Sequence, residues 1–264
     1  MPILNVYALP ELVSAETLDG GAAVAVDVLR AGTCLITAMH AGAARVIPVL
    51  EADDAVTLRE KLLQETPAEQ VLLGGERHGI LIPGFDMSNS PDEYTSERVA
   101  GRTLIFSTTN GTKAVFHALR ADRIMIGAFV NAAAVTEELL KQEKIHILCA
   151  GTNGEYTEED ILFAGLLADR ISLLSGGTYV LNAQAAAARG IWQQSFAPEK
   201  RIGEKPVSAE SLAQILRRSR GGKNLMTLHL GKDILAASRL DVYNTVPVLE
   251  KQRMEIRCQG MGFV

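Results

Sequence analysis

Short apolar runs along the chain alternate with longer segments in which apolar residues recur at helical spacing. This alternation is typical of parallel strands joined by crossover helices, so it predicts an α/β fold with a mostly parallel sheet. The predicted strands cover residues 22–28, 46–49, 70–74, 103–107, 123–126, 145–149 and 246–248. The predicted helices cover residues 33–41, 52–64, 110–119, 131–141, 158–174, 182–189 and 208–219.

The alternation weakens after about residue 175, where pairs of glycines begin to interrupt the helical segments. A chain of 264 residues lies between one large domain and two small ones. We therefore expect one domain over residues 1–264, and a division into two lobes near residues 175–207, with the site between them, stays open. In that case the polar stretch 197–207 would connect the lobes.

Composition narrows the range of partners and locations. The hydrophobic fraction is 47% and the net charge is −5, with acidic and basic residues well mixed. No basic stripe suited to a phosphate backbone is present, so we expect no nucleic-acid partner. The three cysteines fit neither a disulfide framework nor a zinc motif, and no signal peptide or membrane span is evident. A cytoplasmic, soluble protein is expected, with a homodimer as the ordinary base rate for such proteins.

The first candidate site follows the predicted strand 22–28, where Asp27 and Arg30 precede a helix. Ligands of open α/β sheets bind beside the carboxyl ends of the strands. At that place Asp27 could hold a metal ion and Arg30 could bind a phosphate or another anion. The alternative is an Asp–Arg pair that only closes the end of the strand.

A second polar segment follows the predicted strand 70–74 and is rich in glycine. Glu76 and Asp86 offer carboxylate oxygens to a metal, and Arg77 offers a forked donor to an anion. The competing interpretation is a series of turns at Pro83, Gly84 and Asn89-Ser90-Pro91, closed by side-chain hydrogen bonds of Asp86 or Ser88. Asn89 is expected to have that structural role.

The third candidate segment runs from the end of the predicted strand 103–107 into the next helix. It contains Thr108, Thr109, Asn110, Gly111 and Thr112. Hydroxyls and free amides at a helix start can bind phosphate, although the same residues can also cap the helix. The spacing excludes a Walker A loop.

Two further acids lie later in the chain. Asp160 stands near the start of the predicted helix 158–174, and Asp233 follows a glycine and a lysine. Thr157 with Asp160 also fits a capping box, so the helix start has a structural interpretation as well. Either acid could serve as a general base, and both remain candidates for a catalytic role.

These segments together resemble one known family. The residues that carry the resemblance are Asp27-Val28-Leu29-Arg30-Ala31, Gly74-Gly75-Glu76-Arg77, Gly84-Phe85-Asp86 with Asn89-Ser90-Pro91, and Thr108-Thr109-Asn110-Gly111-Thr112. In order and spacing they are similar to the signature of the 2-phosphosulfolactate phosphatases, and Ala150-Gly151-Thr152, Glu159-Asp160 and Gly231-Lys232-Asp233 extend the likeness over nearly the whole chain. One departure is Gly32 with Cys34, where a more hydroxyl-rich run is expected.

The resemblance implies a Mg²⁺-dependent phosphatase that converts 2-phospho-3-sulfolactate to 3-sulfolactate and phosphate, a step of coenzyme M biosynthesis. The expected partner is therefore a small phosphorylated organic acid. On this hypothesis Asp27, Glu76 and Asp86 hold Mg²⁺, and the phosphate is bound by Arg30, Arg77 and the segment Thr108 to Thr112. The attacking group is a water molecule, with Asp160 or Asp233 as base, or else a carboxylate that forms a phosphoenzyme.

Two other functions remain open from the sequence alone. A non-enzymatic sensor of a phosphorylated metabolite would need an anion site but no turnover. An isomerase or lyase would act on a phosphorylated acid without releasing phosphate. The density of acidic residues argues against a simple sensor, because carboxylates repel phosphate unless a metal lies between them.

Overall fold

A computed structural model describes residues 1–65, 67–196 and 207–258. The predicted α/β class is confirmed: helices flank a sheet of eleven strands, most of them parallel. The strands are β1 Ile3–Tyr7, β2 Ala22–Val26, β3 Arg45–Pro48, β4 Val71–Arg77, β5 Ile80–Leu81, β6 Thr103–Ser107, β7 Arg123–Gly127, β8 Lys144–Cys149, β9 Val180–Leu181, β10 Pro247–Glu250 and β11 Glu255–Cys258.

Ten α-helices lie within the described ranges. They are α1 Ala31–His40, α2 Ala52–Leu62, α3 Ser96–Val99, α4 Gly111–His117, α5 Ala132–Leu139, α6 Glu158–Leu174, α7 Ala183–Ser195, α8 Ala209–Leu216, α9 Arg220–Thr227 and α10 Gly231–Ala237. None of the helices in the described part of the chain is both long enough and apolar enough to cross a bilayer. Except for Val207, the stretch 197–207 that was expected to connect two lobes lies outside the described residues.

The sheet consists of two parallel blocks joined by an antiparallel hairpin. The strand order is β5-β4-β6-β3-β11-β10-β7-β2-β8-β1-β9. Strands β4, β6 and β3 form one parallel block, and β7, β2, β8, β1 and β9 form the other. Three antiparallel pairings, β3 with β11, β11 with β10 and β10 with β7, separate the blocks, so the blocks run in opposite directions.

The sheet curls so that the two blocks meet at their carboxyl ends. Phe106 of β6 and Ala25 of β2 line one small cavity together with Pro48 of β3 and Ile126 of β7. Strands β6 and β2 are separated by four strands, which would place them more than about 20 Å apart in a flat sheet. The curl therefore brings the ends of β4, β6, β2 and β8 to one place.

Gly75 allows strand β4 to run close beside the end of its neighbour β6. Its φ is +145°, and a Cβ at this position would lie 1.9 Å from the carbonyl oxygen of Ser107. Only glycine fits between β4 and the end of β6 without moving one of the two backbones. Glu76, the next residue, is thereby held beside the loop that follows β6.

His146 of β8 is a buried histidine with an unusual environment. Its ring stacks on Tyr7, and neither ring nitrogen has a hydrogen-bond partner within the described residues. Burial, and secondarily the charge of Lys144, lowers the pKa of His146 to about 4. The neutral ring is thus the form that the folded protein accommodates.

We expect this histidine to make stability depend on pH. The folded protein resists protonation down to pH 4, whereas an unfolded histidine is protonated below about pH 6.5, so stability falls as the pH drops between those values. The free energy of unfolding should fall by about 2 kcal/mol over this range. Urea unfolding at several pH values should show that His146→Leu removes this part of the slope. His229→Asn, which changes an exposed histidine, should leave it unchanged; equal slopes for all three proteins would refute the assignment.

Candidate active site

A cleft that is open to solvent lies where the two blocks of the sheet meet. The ends of β2, β4 and β6, the loop after β8 and helix α9 each contribute to its wall. The lining residues are Asp27, Leu29, Arg30, Glu76, His78, Gly79, Asn89, Thr109, Asn110, Thr152, Asn153, Gly221, Asn224 and Leu225.

Asp27 follows β2 directly and reaches the wall of this cleft. Its Oδ1 accepts a hydrogen bond of 3.1 Å from the amide of Ala31, in the first turn of α1. Its Oδ2 faces the start of α4, where Gly111 comes close to the carboxylate. The carboxylate therefore lies between the beginnings of two helices, beside the segment that follows β6.

Several acidic side chains crowd around Asp27. Desolvation by the surrounding protein raises the pKa of Asp27 to about 7, and the charges of Glu76 and Glu159 add to the rise while Arg30 opposes it. Burial likewise raises the pKa of Glu159. Acids packed in this way repel one another unless protons or a cation lie between them.

Glu159 is a buried acid behind the cleft wall, in contact with the lining residue Gly221, and the sequence analysis gave it no role of its own in the site. It lies in the first turn of α6, is buried, and its Oε2 has no hydrogen-bond partner in the described ranges. Its Oε1 contacts the backbone of Gly221, where a Cβ would lie only 2.0 Å away. An acid in the first turn of a helix is ordinarily explained by the helix dipole, so nothing in the local sequence pointed to a second role.

Asp160, the neighbour of Glu159, joins two strand ends. Its Oδ1 accepts from the amide of Val28 at 2.9 Å, and its Oδ2 accepts from the amide of Gly151 at 3.1 Å. Burial, followed by the charges of Asp27 and Glu159, raises the pKa of this carboxyl well above its usual range. The side chain clamps the loops after β2 and β8 together and does not line the cleft.

Asp233 of α10 forms a buried ion pair with Arg30. The Nη1 of Arg30 lies 2.7 Å from Asp233 Oδ2, and both side chains are almost completely inaccessible to solvent. The other oxygen of Asp233 accepts from the hydroxyl of Ser90 at 2.6 Å. The Nη2 of Arg30 donates to the carbonyl of Gly79 at 2.7 Å. Asp233 thus fixes the one arginine that lines the described cleft.

Glu76 and Arg77 are neighbours in the chain, but their side chains have different hydrogen-bond partners. Glu76 accepts from the amides of Gly79 at 2.7 Å and Thr109 at 2.9 Å, so it ties the β4–β5 turn to the loop after β6. Arg77 donates to the carbonyl of Leu50, to the Ser107 hydroxyl and to the carbonyl of Glu76. Arg77 does not line the cleft. Its hydrogen bonds join three chain segments.

Asp86 is not brought together with Asp27 and Glu76. Its carboxylate accepts from the amide of Leu73 at 2.8 Å and lies 3.2 Å from the guanidinium of Arg59. Leu73 precedes Glu76 by three residues of extended strand, a distance of about 10 Å along β4. The bond reaches back 13 residues to β4, so the carboxylate holds this loop on the strand and closes no local turn.

The segment after β6 divides its polar residues between capping and the cleft. Thr108 and Thr112 bond to each other, with Thr108 Oγ1 accepting from the amide of Thr112 at 3.3 Å. Thr109 lines the cleft, and its buried Oγ1 has no partner among the described residues. Asn110 also lines it and accepts from the amide of Asn153 at 3.1 Å. Gly111 lets this segment approach Asp27.

We expect Gly111→Ala to reduce any activity that depends on Asp27. The added Cβ would lie 2.7 Å from Asp27 Oδ2 and equally close to the Cβ of Ala31, so the carboxylate must move. A displacement of about 1 Å in a reacting group can lower the rate about 100-fold. Steady-state kinetics should show this loss with the fold retained, as measured by circular dichroism.

Gly190→Ala provides the matched control. Gly190 lies in α7 and a Cβ there would meet nothing within 4 Å. Alanine is favoured over glycine in a helix by about 1 kcal/mol, so this variant should be slightly more stable and equally active. Full activity of Gly111→Ala would show that the position of Asp27 is not critical.

The cleft and its surroundings contain oxygens that lack partners. Glu159 Oε2, Thr109 Oγ1 and Asn89 Oδ1 are all buried and unpartnered within residues 1–65, 67–196 and 207–258. Buried polar atoms are normally hydrogen-bonded, and exceptions concentrate at binding and catalytic sites. In the same ranges no three His, Cys, Asp or Glu side chains are grouped as a complete metal site.

Comparison with known proteins identifies the family of the chain. Residues 7–252 match the family model described as 2-phosphosulpholactate phosphatase. The chain belongs to this family. A probable 2-phosphosulfolactate phosphatase of Symbiobacterium thermophilum is 37% identical over 89% of this chain and 93% of its own length. One of Thermotoga petrophila is 35% identical over 86% and 88%, and one of Clostridium perfringens is 40% identical over 64% and 68%.

Membership of the 2-phosphosulpholactate phosphatase family makes the protein an enzyme, a phosphoric monoester hydrolase. The match includes the ends of β2, β4 and β6, the loop after β8 and helix α9, which together line the cleft. A small phosphorylated substrate is implied by this family.

Proposed function

We propose that the protein is a Mg²⁺-dependent phosphatase that hydrolyses 2-phospho-3-sulfolactate or a similar phosphorylated organic acid. The main support is the position of Asp27, which faces the cleft beside Arg30 and the unpartnered hydroxyl of Thr109. An acid, a cation and a free donor converge there, as phosphoryl transfer requires. The names of the relatives supply the first substrate to test.

The oxygens around Asp27 fit a Mg²⁺ ion. Magnesium prefers oxygen ligands and is commonly held by one or two carboxylates, with water and substrate phosphate completing its shell. Asp27 and Glu159 would hold the ion, because Asp27 lines the cleft and Oε2 of Glu159 is buried without a partner in the described residues. Glu76 would not bind the ion directly, since its oxygens already accept hydrogen bonds from two amides. Asp86 would not be a ligand, because its carboxylate lies apart from Asp27 on the amide of Leu73. When bound, Mg²⁺ would offset the charge of the phosphate and polarise it.

Arg30 and Thr109 are the proposed phosphate ligands. Arg30 keeps three of its five N–H groups after bonding to Asp233 and Gly79, and Thr109 offers a hydroxyl. Glu76 holds the Thr109 amide in place, and Thr108 with Thr112 fixes the turn that follows. These groups would stabilise the charge that spreads over the phosphoryl oxygens in the transition state.

Asp27 is the best candidate to orient the attacking water. In the proposed reaction the water oxygen joins phosphorus, the bond from phosphorus to the ester oxygen breaks, and the released alcohol oxygen takes one of the two protons of the water, while the other stays on the phosphate. Asp160 and Asp233 are less suited as bases, because both oxygens of each already accept buried hydrogen bonds. Acid quenching during turnover, followed by mass spectrometry, should detect no phosphorylated Asp27. A phosphoryl adduct would favour the nucleophilic route instead.

The experiment that tests this function is phosphate release over a panel of phosphorylated organic acids. The panel should include 2-phospho-3-sulfolactate and 2-phospholactate, with and without EDTA and with Mg²⁺ restored. We expect release from at least one acid, loss with EDTA and recovery with Mg²⁺. Release that is unaffected by EDTA would overturn the metal dependence. Binding of the acids without release would favour a metabolite sensor.

A further inference from the structure

Asn89 lines the cleft but has no role in the proposed phosphate chemistry. Its side chain is 3% exposed, it lines the cleft beside Arg30 and Glu76, and its Oδ1 has no partner in the described part of the chain. The sequence suggested a turn-closing role for this residue. A turn-closing asparagine would bond to nearby backbone, and the structure gives its oxygen no such bond.

The backbone on both sides of Asn89 is firmly held. The amide and hydroxyl of Ser88 donate to Glu93, and the carbonyl of Ser88 accepts from the Tyr94 hydroxyl. The Ser90 hydroxyl donates to Asp233, the partner of Arg30. The side-chain amide of Asn89 is thus presented to the cleft in a fixed place, without bonds of its own to satisfy it. Such an arrangement costs stability, which is expected where a ligand completes the site.

The charges nearby indicate which ligand group Asn89 would meet. Ser90 and Arg30 donate to the same carboxylate, that of Asp233. Asp233 therefore holds both Arg30, the one cleft-lining arginine of the described ranges, and the residue next to Asn89. A rotation of 180° about χ2 exchanges the amide oxygen and nitrogen, which allows Nδ2 to donate to an anion beside Arg30.

We propose that Asn89 determines specificity by binding the acid group that the substrate carries in addition to its phosphate. This group is a carboxylate or a sulfonate, and the amide Nδ2 donates to one of its oxygens. The inference rests on the proposed function for the identity of the substrate, but it assigns a separate part of the cleft. Phosphate contacts would stay with Arg30, Thr109 and Asp27.

The experiment measures binding of the acid-bearing part of the substrate separately from binding of phosphate. Calorimetric titration in Mg²⁺ should measure binding of 3-sulfolactate, lactate and inorganic phosphate to the wild type and to Asn89→Ala. A hydrogen bond to a charged group is worth about a 10- to 100-fold change in affinity, so 3-sulfolactate should bind that much more weakly to the variant. Inorganic phosphate should bind within about threefold of the wild type. Lactate shows whether the carboxylate alone is sufficient.

Thermal unfolding excludes a merely structural role. Because the buried amide oxygen lacks a partner, Asn89→Ala should unfold at the same temperature as the wild type or higher, whereas loss of a turn bond would lower it. Asn244→Ala, at an exposed position outside the cleft, is the control and should leave all three affinities unchanged.

Equal weakening of phosphate and 3-sulfolactate, or no weakening of either, would overturn the role of Asn89. Failure of the wild type to bind either of the two acids, 3-sulfolactate and lactate, would also overturn it, even if phosphate is released from other esters. Conversely, absence of phosphate release over the whole panel would refute the proposed function. The titrations would then still decide whether Asn89 binds an acid group.

Discussion

Asp27→Asn should lower phosphate release by about 1000-fold or more while leaving the fold intact. The substitution removes the carboxylate that we propose as a metal ligand and as the group that orients water. Metal-assisted charge stabilisation is worth several kcal/mol, and each 1.36 kcal/mol is about a factor of ten in rate. Asparagine keeps an oxygen to accept the hydrogen bond from Ala31, so the start of α1 should be preserved. Initial rates at saturating Mg²⁺ measure the loss.

Asp86→Asn is the matched control for this prediction. The sequence assigned Asp27 and Asp86 to the same metal site, whereas the structure places the Asp86 carboxylate on the amide of Leu73 and beside Arg59. Asp86→Asn should therefore retain activity within about threefold, since remote surface substitutions have small effects. Glu159→Gln should follow Asp27→Asn with a large loss. Comparable losses in Asp27→Asn and Asp86→Asn would restore the metal site expected from the sequence.

Asp233→Asn should cause the largest loss of stability. Arg30 and Asp233 are almost completely inaccessible, and their ion pair measures 2.7 Å. Breaking a buried pair by removing one charge leaves the other uncompensated, at a cost of about 3–5 kcal/mol. The Ser90 hydroxyl also loses a charged acceptor, which adds to the effect. Urea unfolding, with the free energy extrapolated to water, measures the change.

Asp92→Asn is the appropriate comparison for that substitution. Asp92 lies 3.6 Å from Lys232, the neighbour of Asp233, but both side chains are more than half exposed. Exposed pairs contribute about 0–1 kcal/mol, so this variant should unfold almost as the wild type does. If Asp233→Asn were equally mild, Arg30 would need another counter-charge, and the assignment of Asp233 as its anchor would be incorrect.

The strand ends that carry the site could be located from the sequence. The apolar runs predicted β2, β6 and β8, and the polar residues after them lie in or beside the cleft. That success follows from a general property of α/β sheets, whose buried strands are apolar throughout and whose ligands bind at the carboxyl ends. Which polar residues face the cleft could not be predicted, because that depends on the direction of each side chain. Arg77 illustrates this, since it follows Glu76 yet bonds to Leu50 and Ser107.

Other elements could not be recognised in the sequence because of their residue composition. Strand β11 carries Glu255 and Arg257, which bond to each other, while Glu255 also pairs with Arg45 of β3. These charged residues conceal a central strand from a search for apolar runs. The antiparallel hairpin of β10 and β11 joins the two parallel blocks, so the curl of the sheet was not predictable either. Glu159 was missed because an acid in the first turn of a helix needs no further explanation.

The most direct test of the account is a ³¹P NMR time course of 2-phospho-3-sulfolactate with the wild-type enzyme and Mg²⁺, run beside Asp27→Asn. We predict that the ester resonance is replaced by inorganic phosphate in equal amount with the wild type, and that it persists with the variant. An ester signal that persists with the wild type, or that moves to another organic phosphate, would contradict the account. The second outcome would identify an isomerase or a lyase.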